Sequence, residues 1–374
     1  MKFKTKKQEI VNLLNYAARI TPSKTMQPIY QTVLLKNFNG ELELISSDSL
    51  ETIFNSNLQV DSEIDGSICV NAKKLLEIIK ALPNNIDVSI EKTDTERLII
   101  KSGDAVYTLY GYAYTDYPIL PISDLQKEFT INKMDLQKII DKTSYIYIHE
   151  SEHFFFRGVY FENIDNKFTA VSTDGSRLSI YSEEMHNLSE NYKLLIPTNL
   201  LKLVRDILKN DKDNLISANI NVKYSDDKIC FKFNNIKIVG SLLNGTYPDF
   251  NKVIPQSSNC KFIVKKELLL DCAKRVMLMS SDNVSKSIIL DAYADKIIMQ
   301  STDATFGDAK EEIKIESIIF EQIKLALNGK YLVECINSID SDKVVIQLLD
   351  SNSPVILKGV KVKNHMCILM PMRY

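Results

Sequence analysis

The chain has 374 residues, of which 45% are apolar, and its formal net charge is −2. This composition supplies several hydrophobic cores and excludes a chain that is uniformly basic or built to span a membrane, since no apolar run reaches ~18 residues. The N-terminal residues lack the apolar segment of a signal peptide, and the six cysteines show no Cys-x-x-Cys spacing. We therefore expect a protein of the reducing cytosol.

One order of elements occurs three times along the chain. Each copy opens on a phenylalanine in a short strand, and a later strand of each copy ends on an aspartate. These positions are Phe3, Phe129 and Phe262, and Asp48, Asp174 and Asp303. A period near one third of the chain predicts three copies of one domain, here called copies one, two and three.

Within each copy, the pattern predicts a strand, a helix, a hairpin, a second helix and a strand-rich half. The predicted helices are 7–20, 71–82, 132–143, 197–210, 265–277 and 328–339. The hairpin turns fall at Asn39–Gly40, Asp165–Asn166 and Ala294–Asp295. This order predicts an α+β fold of three repeated domains, each with two helices on one face of antiparallel sheet. Short proline-containing segments near 118–124 and 254–259 place the domains at 1–122, 123–256 and 257–374.

Charge is divided between the kinds of element. The six predicted helices together carry +8, which leaves −10 for the strands and loops. In helix 197–210, apolar residues alternate with Lys202 and Arg205 at helical spacing, so one face packs and the other presents cations. An ordinary solvated helix face is the alternative for any single helix. If the helices line a concave surface, that surface is positive.

No catalytic constellation is predicted. His149 and His153 have a spacing that could serve a metal on a helix, but their segment reads as strand or loop without a third ligand. Asp174, Ser176 and Arg177 lie together and suggest a hydrolase as one alternative, but Asp-Gly is turn chemistry and nothing supplies a general base. We expect neither catalysis nor a cofactor.

Four segments together resemble one family: Met1–Phe3, Thr173–Leu178, Tyr247–Pro255 and the terminal Met370–Tyr374. They resemble the bacterial DNA polymerase III beta subunit, the DNA sliding clamp, over the full length and the threefold repeat. The resemblance implies a non-catalytic processivity factor. It implies a head-to-tail homodimer, with each chain forming half of a closed ring around double-stranded DNA. A ring or arc scaffold that binds no nucleic acid is the alternative.

The resemblance also implies where the ring touches itself and DNA. Tyr107, Leu278 and Met279 are expected at the dimer interface, with plain core packing as the alternative. The residues expected to contact DNA are Lys24, Lys73, Glu150, Phe154 and Phe155, together with Lys202 and Arg205 of the cationic helix face. Glu150 stands where an amide is familiar, and Phe154–Phe155 where two tyrosines are familiar; one of the two rings could instead pack inward.

Finally, the resemblance implies a pocket for short peptides of the replicative polymerase catalytic subunit, the clamp loader and repair polymerases. The expected pocket residues are Phe156, Thr173, Gly175, Ser176, Arg177, Leu178, Pro248, Lys252, Val253, Ile368, Met370, Pro371, Met372 and Arg373. Ser176 and Tyr374 replace a His and a Leu that are familiar in the family. Methionine would let this pocket accept several partners.

Overall fold

The computed structural model describes residues 1–48, 52–84, 86–118, 125–185, 191–210, 217–280 and 286–373. These residues include α1 (Lys7–Ile20), α2 (Ala72–Ala81), α3 (Lys133–Thr143), α4 (Thr198–Asn210), α5 (Lys266–Val276) and α6 (Gly329–Ser338). The six predicted helices are confirmed, each to within one residue at either end.

Two compact units make up the described chain. Unit 1 comprises Met1–Asp135 and Asn199–Leu242, and unit 2 comprises Leu136–Thr198 and Leu243–Tyr374. The predicted three-domain division at 122 and 256 stays a prediction, and residues 119–124 lie outside the described residues.

Unit 1 contains one antiparallel sheet of thirteen described strands. They are β1 (Lys2–Thr5), β2 (Thr32–Phe38), β3 (Glu41–Ser47), β4 (Thr52–Gln59), β5 (Asp61–Ile64), β6 (Gly66–Asn71), β7 (Val88–Lys92), β8 (Arg97–Ser102), β9 (Ala105–Tyr112), β10 (Lys127–Asn132), β15 (Asn219–Tyr224), β16 (Lys228–Phe233) and β17 (Ile236–Ser241). Their order is β10-β15-β16-β17-β4-β3-β2-β6-β9-β8-β7-β1-β5. The pairing of β17 with β4 joins strands of copies two and one into this sheet.

Unit 2 contains a nine-stranded and a four-stranded sheet. Their strands are β11 (Gly158–Ile164), β12 (Lys167–Thr173), β13 (Arg177–Glu184), β14 (Tyr192–Pro197), β18 (Cys260–Lys265), β19 (Ser287–Ala292), β20 (Lys296–Asp303), β21 (Gly307–Lys314), β22 (Glu316–Ile319), β23 (Ile323–Asn328), β24 (Lys343–Leu348), β25 (Val355–Gly359) and β26 (His365–Leu369). The orders are β14-β11-β12-β13-β26-β25-β24-β18-β22 and β21-β20-β19-β23. Here the pairing of β13 with β26 joins strands of copies two and three.

Local chemistry explains where the repeated elements begin and turn. The side chains of Asn71 and Asn328 cap α2 and α6 by accepting hydrogen bonds from backbone N–H groups three residues on, at 2.9 and 3.2 Å. In the first two hairpins, Asn39–Gly40 and Asp165–Asn166 adopt positive φ, as two-residue turns of this type require. The predicted hairpins are present in all three copies.

The cores are apolar and keep the thiols inert. In unit 2, one buried cluster gathers the helix-facing residues of copy three, among them Phe262, Leu269, Leu332 and Leu357. All six cysteines are free and buried, and burial raises the pKa of Cys69 and Cys272 to about 12. They act as small hydrophobes. Among the described helices, none combines the length and the apolar composition needed to cross a membrane.

Candidate functional site

The end of the chain is held against the turn that precedes β13. Strand β26 pairs with β13, so that Leu178 lies opposite Ile368. Beyond the strand, the Met370 N–H donates to the Ser176 carbonyl at 2.8 Å, and the Met372 N–H donates to the Ala326 carbonyl at 2.8 Å. The methionine-rich tail is therefore positioned by backbone hydrogen bonds.

The turn itself is organised by Asp174 and Thr173. The Asp174 Oδ1 accepts from the backbone N–H groups of Ser176 and Arg177 at 3.0 and 3.1 Å. The Thr173 hydroxyl donates to the Arg177 carbonyl at 2.7 Å, and Gly175 has a φ of +86°. Asp174 is thus occupied as the cap of a turn and not as a catalytic acid.

Arg177 holds this turn from below. It is 7% exposed, and its Nε donates to Asp174 Oδ2 at 2.9 Å while its Nη1 bonds Glu334. Its guanidinium lies 4.0 Å from the centre of the Tyr331 ring. Burial opposes its charge, but the bonds to Glu334 and Asp174 outweigh burial and raise the pKa of Arg177. The side chain positions the turn by linking it to α6.

An apolar floor lies beside the turn and the tail. Leu178 and Ile368 belong to one buried cluster on the face of the nine-stranded sheet away from the helices, with Tyr160, Val171, Ile180 and Leu195. Half-buried residues packed against it are Phe154, Phe155, Leu243, Tyr247, Phe250, Ile254 and Met366. Such a floor suits an apolar side chain of a peptide.

Three consecutive phenylalanines form one wall of this region. The rings of Phe155 and Phe156 lie 4.5 Å apart, and those of Phe154 and Phe155 lie 5.5 Å apart. A Cβ at Gly175 would lie 3.1 Å from the Phe156 ring, and a Cβ at Gly245 would lie 2.1 Å from the Phe154 ring. The structure therefore packs Phe154 and Phe155 beside the predicted pocket residues; their contact with DNA stays a prediction.

The remaining predicted pocket residues form an accessible rim. Met370 and Val253 are 38% and 44% exposed. Pro248, Lys252 and Arg373 are exposed, and Pro371 and Met372 are half-buried. We call the region formed by Phe156, Thr173–Leu178, Pro248–Val253 and Ile368–Arg373 the unit-2 pocket. Tyr374 lies outside the described residues.

Predicted DNA-contacting residues of unit 1 lie in two groups. Lys73 on α2 donates to the Ser23 hydroxyl at 2.8 Å, which places it beside exposed Lys24 in the loop after α1. Sequence proximity could not have shown this pairing.

The second group lies on α4. Arg205 bonds Asp206, whose other carboxylate oxygen accepts from Arg19 on α1 at 2.7 Å. Arg19 is a cation that the sequence did not single out, because only the fold brings the end of α1 next to α4. Lys202 is half-buried on the same helix. Asp206 therefore links the guanidinium groups of Arg19 and Arg205, and so joins α1 to α4.

In unit 2, the loop before the phenylalanines is acidic and exposed at Glu150. The ring of His153 stacks on Phe155 at 5.4 Å. No group of three or more potential metal ligands occurs in the described parts of the chain. Whether Glu150 approaches DNA stays a prediction.

Two of the edges that the described strands leave unpaired lie near the predicted interface residues. Strand β21 pairs with β20 alone among the described strands, and Ala105–Tyr110 of β9 pairs with β8 alone. Tyr107 on β9 is 39% exposed. Leu278 is 76% exposed in the helical turn Met277–Met279, which packs beside β21. The predicted interface residues thus lie at or next to open edges; the interface itself stays a prediction.

Family comparisons match almost the whole chain. Models of the DNA polymerase III beta subunit match its N-terminal domain to residues 1–121, its central domain to 130–249 and its C-terminal domain to 251–373. The chain belongs to the DNA polymerase III beta subunit family.

Curated and solved members of this family agree in length with the chain. It is 24% identical to the beta sliding clamp of Rickettsia felis, over 97% of each chain, and 23% identical to that of Staphylococcus aureus, over 100% and 99%. Its fold matches a Bartonella birtlesii sliding clamp bound to griselimycin with a TM-score of 0.94, and one from Pseudomonas aeruginosa with 0.92. Each is 22% identical and covered completely by the match.

Membership in the beta subunit family confirms two expectations from the sequence. The fold consists of three clamp domains of mixed helices and antiparallel sheet, and the family is a non-catalytic processivity factor of DNA polymerase III. The hydrolase alternative is thereby excluded, in agreement with the role of Asp174 as a turn cap.

Proposed function

We propose that two copies of this chain close head to tail into a ring around duplex DNA, and that the unit-2 pocket tethers the replicative polymerase to it. The domains would be 1–122, 123–256 and 257–374, and the ring would work in the bacterial cytoplasm on the nucleoid. One observation supports the ring. Strands of neighbouring copies pair twice within the chain, β4 with β17 and β13 with β26, and we call each such pairing a joint. The corresponding edges of β21 and β9 have no partner among the described strands.

The three joints are equivalent by position. In each copy, the strand after the hairpin offers its edge: β4 pairs with β17, β13 pairs with β26, and β21 has no further partner among the described strands. The missing partner corresponds to β9, the last strand of copy one. Because one chain cannot supply a fourth copy, a second chain must supply β9, and two such contacts close a ring.

The repeat also predicts a register for this contact. Ile53, Leu178 and Asp308 are equivalent positions on β4, β13 and β21. Each pairs with the residue just before the repeated aspartate, on the preceding strand. Ile53 pairs with Val239, and Leu178 pairs with Ile368.

The residue of β9 that corresponds to Val239 and Ile368 can be found by following paired residues from strand to strand in each copy. The three ladders of paired residues read Glu128–Lys223–Cys230–Val239, Lys261–Gln347–Ile356–Ile368 and Lys2–Glu91–Ile99–Thr108. Each ladder begins one residue before the opening phenylalanine. Thr108 of one chain therefore faces Asp308 of the other, and Tyr107 faces Ala309.

A disulfide across this register tests the ring. In Tyr107→Cys/Ala309→Cys, oxidation should link two chains at both contacts, because directly opposed residues on neighbouring strands meet the Cα separation of a disulfide. The native cysteines are all buried and will not compete. Tyr107→Cys/Glu311→Cys, two residues out of register, should cross-link poorly.

The same cross-linked variant tests the encircling of DNA. Loaded by the clamp loader and ATP onto a nicked circular plasmid and then oxidised, the ring should stay with the plasmid through gel filtration in high salt, and it should be lost after one restriction cut. Salt releases electrostatic contacts but cannot release a topological link. Equal retention on cut and uncut plasmid would favour a scaffold that does not encircle DNA.

The pocket is tested separately by its tail. Pro371→Ala/Met372→Ala removes apolar contacts from the rim, and we expect about tenfold weaker binding of a fluorescent peptide from the polymerase catalytic subunit. The solution mass should remain that of a dimer, since neither residue lies at an open edge. Unchanged peptide affinity would remove the pocket assignment.

A further inference from the structure

Copies one and three end their sheets on equivalent edge strands. Strand β5 pairs with β1, and β22 pairs with β18, each with a bulge at the same position. Ile64 pairs with Lys2 as Ile319 pairs with Lys261. The two edges can therefore be compared residue by residue.

The edge of copy one is covered by charge. Its bulge residue Glu63 forms ion pairs with Lys2 at 2.5 Å and Lys4 at 3.4 Å. Asp65, which follows the strand, accepts from the Asn39 N–H at 3.1 Å. Charged residues of this kind prevent an edge strand from attracting other chains.

The edge of copy three has lost these charges. Ile318 occupies the position of Glu63, and Phe320 that of Asp65. Ile318, Ile319 and Phe320 are 54%, 46% and 47% exposed. Three large apolar side chains in succession at the end of an edge strand are unusual for a surface that meets only water.

A positive charge remains beside these residues. Lys261 is kept where copy one has Lys2, but the carboxylate that pairs with Lys2 is replaced by Ile318. Lys358 lies close by on β25, and burial together with Lys261 lowers the pKa of Lys358. Neither lysine has an acidic partner in the part of the chain that the structure describes.

The floor of the unit-2 pocket and this edge lie on one face of the nine-stranded sheet. Leu178, Ile368 and Ile356 are buried there, and accessibility begins at half-buried Gln347 and Lys261. Leu178 of the pocket floor begins a row of directly paired residues that crosses one face of the nine-stranded sheet. The row reads Leu178, Ile368, Ile356, Gln347, Lys261 and Ile319. Paired residues on neighbouring strands share a face, and four strand spacings separate β26 from β22, about 19 Å. About six extended residues would span that distance.

We propose that a polymerase held by its peptide in the unit-2 pocket makes a second contact at the far end of this row, on Ile318, Ile319 and Phe320. The matching segment of the polymerase is apolar and carries a carboxylate that faces Lys261 and Lys358. This inference rests on the proposed function, because the pocket is its starting point.

The test compares a short ligand with a long one. The probes are the complete polymerase catalytic subunit from the same organism and a synthetic peptide of its pocket-binding segment, each titrated against the full-length clamp by surface plasmon resonance. For Ile319→Ser/Phe320→Ser and for Lys261→Glu, we expect about tenfold weaker binding of the polymerase and unchanged binding of the peptide. Ile64→Ser, at the equivalent position of copy one, should change neither.

Each outcome decides between the contacts. Polymerase affinity that survives both changes at the copy-three edge, with native melting temperatures, overturns the second contact while the pocket stands. Equal losses for peptide and polymerase also overturn it, since the edge would then act through the pocket. If Pro371→Ala/Met372→Ala leaves peptide affinity intact, the proposed function fails independently of the edge variants.

Discussion

At the scale of single residues, the phenylalanine wall depends on two glycines. Gly245 has a φ of +139°, and a Cβ there would lie 2.1 Å from the Phe154 ring. Gly175 has a φ of +86° and faces Phe156. Neither glycine is merely a flexible turn residue, because each lets a ring approach the backbone. The wall beside the pocket therefore requires a residue without a side chain on the opposite segment.

Gly245→Ala should consequently destabilise unit 2. We expect a loss of more than about 2 kcal/mol in the free energy of unfolding, from backbone strain and displacement of Phe154 together. Gly40→Ala is the matched control: its φ is +82°, but its Cβ would meet only the Val60 carbonyl at an ordinary 3.5 Å. Denaturant titration of both variants measures the difference. Equal losses would show that strain alone matters at Gly245.

Arg177 shows how burial refines a prediction about one residue. The resemblance placed it in a peptide pocket, where a charged side chain suggests direct recognition. In the structure, the Arg177 guanidinium forms ion pairs with Asp174 and Glu334 and lies over the Tyr331 ring. A guanidinium bonded on two sides is better suited to fix the turn than to bind a partner.

At the scale of elements, copies one and three share a helix cap. Lys7 at the start of α1 donates to the Lys80 carbonyl at 2.8 Å and bonds the Leu82 carbonyl, at the end of α2. Lys266, in the same position of copy three, donates to the Ile339 carbonyl at 2.5 Å, just past α6. A lysine from one helix thus satisfies the carbonyl end of the other.

Lys266→Met should remove this cap and keep the apolar stem. We expect a loss of about 1 kcal/mol in the free energy of unfolding, since the α6 carbonyls would lose a charged donor. Lys274→Met on the exposed face of α5 is the control and should be nearly neutral. Thermal unfolding followed by circular dichroism compares the two. A neutral Lys266→Met would mean that water replaces the ammonium group at no cost.

One tyrosine has equivalent positions in copies one and two but different surroundings. In copy one, Tyr117 is buried against Leu34 and Cys69. In copy two, the corresponding Tyr247 stacks on Tyr160 at 4.5 Å and stays half-buried at the margin of the unit-2 pocket. The same tyrosine therefore completes a small closed cluster in one copy and borders an accessible surface in the other.

At the scale of the whole molecule, the repeat and the charge distribution both fit the proposed ring that slides on DNA. Strands of neighbouring copies pair twice within the chain, and a third pair of equivalent edges has no partner among the described strands. A second copy of the chain can cover those edges, so the proposed ring needs two chains. Cations concentrate on helices while the molecule is net acidic. Each neutralised phosphate steepens the salt dependence of binding, so diffuse cations suit a ring that slides better than many tight contacts would.

The sequence by itself determined the threefold repeat, the six helices, the hairpins and the family. These features depend on residue periodicity and on short turn and capping motifs, which act between residues close in the chain. Only the tertiary structure decided which edges are paired, that Arg19 joins Arg205 through Asp206, and that Phe154 packs on Gly245. It also showed that the edge of copy three exposes Ile318–Phe320 beside Lys261, which has no acidic partner among the described residues. Such contacts join residues far apart in sequence, and their register depends on strand pairing that no local pattern specifies.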